Sequence, residues 1–70
     1  MTEWKLLLEM QKTGWDFIIG PYGKKYVCRL NKYVKGRNGL EELTEVVSSF
    51  GDIDEAIRDA VAKAKAKDSE

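Results

Sequence analysis

Between Tyr22 and Arg37 the chain sets Lys24, Lys25, Arg29, Lys32, Lys35 and Arg37 among Tyr22, Tyr26 and Tyr33, with no acid in the run. Cations that reach phosphates, interleaved with rings on which bases stack, are the chemistry of a nucleic-acid surface. The same residues also suit the exposed face of a hairpin, where lysines protect against edge-to-edge aggregation. One stretch therefore carries two competing readings, contact with RNA or DNA through residues 22–37 or contact with a protein.

Catalytic chemistry has little to work with. The chain contains no histidine, so no Ser-His or Cys-His pair can be assembled, nor any His-based acid/base step. A single cysteine, Cys28, gives neither an internal disulfide nor an ordinary zinc ligand set. Asp52, Asp54 and Glu55 are a tight carboxylate group, but their spacing is that of a helix start. Asp52 fits the N-cap, Glu55 three residues on completes a capping box, and Asp54 lies by the positive helix end. "GPYGKK" lacks the glycine spacing and the Ser or Thr of a phosphate-binding loop. No enzymatic activity, metal or cofactor is expected.

Twelve basic and twelve acidic residues give a net charge of zero, which removes the global positive field that steers most nucleic-acid binders. The charge is segregated all the same. Residues 17–40 hold the six cations named above and no acid, whereas Glu41, Glu42, Glu45, Asp52, Asp54, Glu55 and Asp59 face only Arg58 in residues 41–59.

The elements that must position these groups are short. Trp4, Leu7, Leu8 and Gln11 recur at helical spacing after a capping Thr2, and Gly14 suits a left-handed helix stop, which predicts a helix over 3–12. A strand over 4–10 is the alternative. Trp15 to Ile19 and Lys25 to Leu30 read as a hairpin through Gly20-Pro21-Tyr22-Gly23. Alternation turns Trp15, Phe17, Ile19, Tyr26, Cys28 and Leu30 inward, and Ile18, Lys25, Val27 and Arg29 outward. "LEELTEVVSSF" fits a helix opened by Asn38 and Glu41 or a strand over 45–50; the strand is favoured because two valines and two serines are poor helix material. Ile53, Ile57, Ala60, Val61 and Ala64 form one narrow apolar helical face. Trp4 and Trp15 read as core anchors, and residues 66–70 as a frayed tail.

The expected architecture is α+β in the order αβββα, one domain over residues 1–70, with two helices packed on one face of a three-stranded antiparallel sheet. The other face is then left open, and apolar residues on an open face invite a partner. The contact residues expected there are Ile18, Lys25, Val27 and Arg29, with Lys32, Lys35 and Arg37 at the end of the sheet. Glu41, Glu42, Glu45, Asp52 and Asp54 form a second candidate surface, since acids can mimic phosphates towards an arginine-rich groove. Short apolar runs and the lack of a signal-peptide pattern point away from a membrane, and the lone cysteine points to a reducing cytoplasm.

Helix, hairpin, long connection, strand and helix is an order that resembles the double-stranded RNA-binding domain, and "GPYGKKYVCRLNKYV" is similar to that family's first hairpin in outline. The resemblance implies the αβββα fold. RNA binding by that family uses lysines that open the second helix, where this chain has "GDIDEAIRDA". Size, composition and layout also resemble small proteins of phages and mobile elements, anti-CRISPR inhibitors among them. That likeness implies a non-enzymatic inhibitor that blocks a host nucleic-acid-handling complex by direct contact, as a monomer or homodimer. The alternative is an RNA- or DNA-binding domain.

Overall fold

The computed structural model describes residues 3–68. The element order is α1 (Glu3–Lys12), β1 (Asp16–Tyr22), β2 (Lys25–Lys35), β3 (Glu41–Phe50) and α2 (Ile53–Asp68), an αβββα fold of the α+β class. The three strands form one antiparallel sheet in the order β1-β2-β3. Both helices lie on the same face of it, α2 against β2 and β3 and α1 against α2 and β1. Thr2, the expected cap of α1, is outside the described residues.

Local chemistry explains where each element stops. At the end of α1 the Trp15 N–H donates to the Met10 carbonyl and the Gly14 N–H to that of Gln11, with Gly14 at φ 99°. This is a Schellman closure, and the accompanying apolar contact is made by buried Met10 and Trp15. At the other helix Asp52 accepts from the Glu55 N–H at 3.2 Å, the capping bond expected of it.

The hairpin turn differs in place from the expectation. β1 continues through Gly20 and Pro21, and the reversal is the two-residue Gly23-Lys24. Tyr22 pairs with Lys25, and Gly23 alone takes the positive φ, 63°. That pattern is a type II′ turn, whose twist matches the flanking strands. Pro21 is tolerated because β1 is an edge strand.

Residues 41–50 form a strand throughout, four residues longer at its start than the expected 45–50. Asn38 caps no helix there. Its side-chain carbonyl accepts from the Leu40 N–H at 3.1 Å, shaping the turn between β2 and β3. The two strands outrun β1, so Lys32–Lys35 with Glu41–Thr44 projects as a two-stranded arm.

The core lies between sheet and helices. Leu7, Met10, Trp15, Cys28, Leu30, Val46, Ala56, Ile57, Ala60, Val61 and Ala64 are buried, with Phe17, Ile19, Phe50 and Ile53 packed at its margin. Small alanines along α2 let it lie close on the sheet. Trp15 anchors this core at 1% exposure, but Trp4 does not, being 45% exposed with its ring edge-on to Phe17 at 5.6 Å. Tyr26 shares the inner face with Cys28 yet is 38% exposed, because it pairs with Pro21 and Phe50 at the sheet's end. Of the expected frayed tail over 66–70, residues 66–68 are helical instead, and 69–70 lie outside the described residues. α2 is helical to Asp68, which accepts from Trp15 Nε1 at 3.0 Å and pairs with Lys32 Nζ at 3.4 Å.

Candidate functional site

Among the described residues, no layer covers the outer face of the sheet. Strand register puts Ile18, Arg29 and Val47 in one row across it, and Gly20, Val27 and Ser49 in the next. Asp16, Asn31 and Glu45 form the row on the other side. Ile18 is 62% exposed and Val47 41%, with Val27 half-buried between them. Gly20 has no side chain to fill its place. The result is a shallow depression of about 460 Å³ walled by Ile18, Tyr22, Val27, Arg29 and Val47.

The charges on this face come from two strands. Arg29 Nε lies 3.2 Å from Glu45 Oε1, and Lys35 stands opposite Glu41 in the register. The outward side chains of the three strands include Lys25, Arg29 and Lys35 on one side and Asp16, Glu41 and Glu45 on the other, three cations against three acids. Of the six cations of the basic stretch, Arg29 is thus paired with Glu45 and Lys35 stands opposite Glu41 on this face.

Several expected contact residues belong together and others do not. Ile18, Lys25, Val27 and Arg29 share the open face, with Lys35 on the arm at its far end. Lys32 is on the inner face, where its Nζ sits 5.6 Å from the centre of the Trp15 ring and pairs with Asp68. It belongs to the structure of the domain rather than to the open face. Arg37 is exposed in the connection between β2 and β3. The acidic candidates do not form one surface. Glu41 and Glu45 lie on the open face, Glu42 opposite Val34 on the inner side of the arm, and Asp52 and Asp54 at the start of α2.

Sequence reading missed Val47, Tyr22 and Glu45 as members of the open face. The signal for Val47 was present: within "EVVSSF" adjacent valines must face opposite ways, so one of them had to point out.

A second polar group lies where α2 crosses β3. Buried Ser48 donates its hydroxyl to Asp59 Oδ2 at 2.6 Å, Lys63 Nζ pairs with the same oxygen at 3.1 Å, and Lys63 also donates to the Val47 carbonyl at 3.0 Å. The Ser48 hydroxyl, followed by the Lys63 ammonium, holds the Asp59 carboxyl below its ordinary value of 3.8. Cys28 is fully buried, and burial pushes its thiol up to about 11, which keeps it protonated and unreactive. Among the described residues no three His, Cys, Asp or Glu side chains gather as a metal site would need, and no helix is long and apolar enough to cross a membrane.

No protein-family model matches the chain, and no match is found among the curated proteins or the solved structures.

Proposed function

We propose that this protein is a non-enzymatic binding module that docks on another protein through the open sheet face. The observation that carries the reading is the charge balance of that face. A phosphate-binding surface needs uncompensated cations, since affinity comes from replacing counterions. Here Arg29, at the centre, is already paired with Glu45, and exposed Ile18 and Val47 and half-buried Val27 surround it. Apolar side chains with interspersed charges of both signs make a protein interface.

The partner is accordingly a protein surface with its own apolar patch and paired charges. The likeness in size and layout to small phage and mobile-element inhibitors supports an inhibitor acting on a nucleic-acid-handling complex in the cytoplasm. Blocking such a complex needs occupation alone, with no bond made or broken.

Capture from a source lysate in the presence of nuclease tests the reading, with Arg29→Glu and, as a control on the opposite side of the domain, Lys67→Glu. A protein retained by the wild type and by Lys67→Glu but lost with Arg29→Glu supports docking on this face. Loss of all capture once nucleic acid is digested refutes it and returns the function to the basic segment 22–37.

A further inference from the structure

The two edges of the sheet are treated differently by the fold. The Gly36 N–H donates to the Leu40 carbonyl at 2.7 Å, and hydrogen-bonded pairs alternate along an antiparallel ladder from that closure. By this count Arg29 and Val47 are a non-bonded pair, and the Val47 carbonyl points off the β3 edge. Lys63 Nζ donates to that carbonyl at 3.0 Å, so a lysine from α2 occupies one acceptor of the β3 edge. The same alternation makes Ile18 a hydrogen-bonded partner of Arg29. It leaves the N–H and C=O of Phe17 and Ile19 pointing off the β1 edge. Pro21, with no N–H to offer, falls on the next outward position. Among the described residues no hydrogen bond from outside the sheet ends on these groups.

Beside this edge lies uncovered apolar surface. Glu3 turns towards α2, where it meets Arg58 at 2.8 Å. Trp4 and Leu8 lie about 100° and about 140° further round the helix. They are 45% and 43% exposed, and Trp4 rests on Phe17 of β1.

We infer that β1 pairs with β1 of a second copy, antiparallel about a twofold axis through Ile18, to make one continuous sheet of both chains. The register is self-complementary. Phe17 of one copy meets Ile19 of the other as a hydrogen-bonded pair, twice over, which uses the outward groups of both residues. Ile18 meets itself in a non-bonded pair, where cross-strand side chains are closest. Asp16 faces Gly20, so no like charges oppose each other. The same axis brings the Trp4 and Leu8 flanks of the two α1 helices side by side over the join. A second copy fits this edge because every group it needs is offered by the edge itself. The pairing uses the β1 edge and leaves Val27, Arg29 and Val47 uncovered, so the inference does not rest on the docking function proposed above.

Sedimentation of the full chain across the micromolar range reads the assembly, and Ile18→Cys reads the axis. The expected result is a dimer that, on mild oxidation of Ile18→Cys, becomes a disulfide-linked pair on a non-reducing gel, while native Cys28 stays buried and unlinked. Tyr22→Cys is the control. Its two copies would sit eight residues out of register, roughly 26 Å apart at about 3.3 Å per residue, and should not link. Ile18→Lys replaces an apolar pair with two facing ammonium groups and should raise the dimer dissociation constant by roughly 30-fold or more. A wild-type chain that stays monomeric throughout overturns the inference and leaves the edge to a foreign strand. Equal linking of Ile18→Cys and Tyr22→Cys overturns the register.

Discussion

The indole of Trp15 ties the last turn of α2 to the sheet, and removing that tie has a calculable cost. The ring is 1% exposed and donates Nε1–H to Asp68 Oδ2 at 3.0 Å, while Lys32 Nζ lies 5.6 Å from the ring centre. A hydrogen bond to a charged acceptor contributes about 1.5–3 kcal/mol. The Asp68 side chain is 40% exposed, so solvent screening reduces this to about 1–1.5 kcal/mol. Trp15→Phe also shrinks a buried ring and weakens the cation contact, bringing its total to about 2–4 kcal/mol. Asp68→Ala should cost about 1–1.5 kcal/mol, since water can reach the freed N–H at the helix end. The double variant should cost less than the sum by about 1 kcal/mol, because both single changes break the same bond. Urea unfolding followed by circular dichroism at neutral pH measures all four corners of the cycle. In a domain of this size each kcal/mol is worth roughly 4–8 °C in Tm, so heat denaturation gives an independent reading. A coupling energy below about 0.3 kcal/mol would refute the argument and restore the frayed tail.

The Asp59 cluster predicts an acid-sensitive term. Because its folded carboxyl titrates below 3.8, the stabilisation is present above that pH and is lost as pH falls through the folded value. Asp59→Asn should therefore lower stability at neutral pH and flatten the acid limb of a stability-against-pH curve, and an unchanged limb would refute the assignment. Cys28, with its thiol raised to about 11, should react with a disulfide reagent at neutral pH only as fast as the domain opens. Stopped-flow labelling at a free-thiol rate without denaturant would contradict its burial.

How much of this was legible along the chain depends on how local each cause is. α2 could be read because Asp52, Glu55 and the alanine-rich face act within a few turns, and the first hairpin because aromatic and β-branched residues alternate on either side of turn-forming ones. Residues 40–50 carry both periods, and the choice of strand is made by pairing with β2, a long-range contact that no local spacing announces. For Lys32 parity is a better guide than charge: the alternation that turns Tyr26, Cys28 and Leu30 inward carries Lys32 with them, away from the cations of the open face. The Arg29–Glu45 pair depends on a register fixed only when the whole sheet forms.

That pair bears on what the protein can recognise. Along the chain, cations and acids are separated into blocks, an arrangement that looks like one positive surface and one negative surface. Folding β3 back along β2 lays the second block beside the first, and the outward charges sum to zero. Long-range steering by such a face is weak, because fields of opposite sign cancel beyond a Debye length of about 8 Å at physiological salt. On the docking proposed above, specificity would come at short range, from the fit of a partner's side chains around Ile18, Val27 and Val47 and from exchange of partners by Arg29 and Glu45. Binding of this kind should hold its affinity as salt rises, whereas each phosphate contact would make log K fall by roughly 0.9 per log unit of salt. In the proposed dimer two such patches meet at Ile18 without a break. A partner with repeated or twofold-related sites would then be held at both, and its affinity would fall towards that of a single patch as the protein is diluted below the dimer dissociation constant.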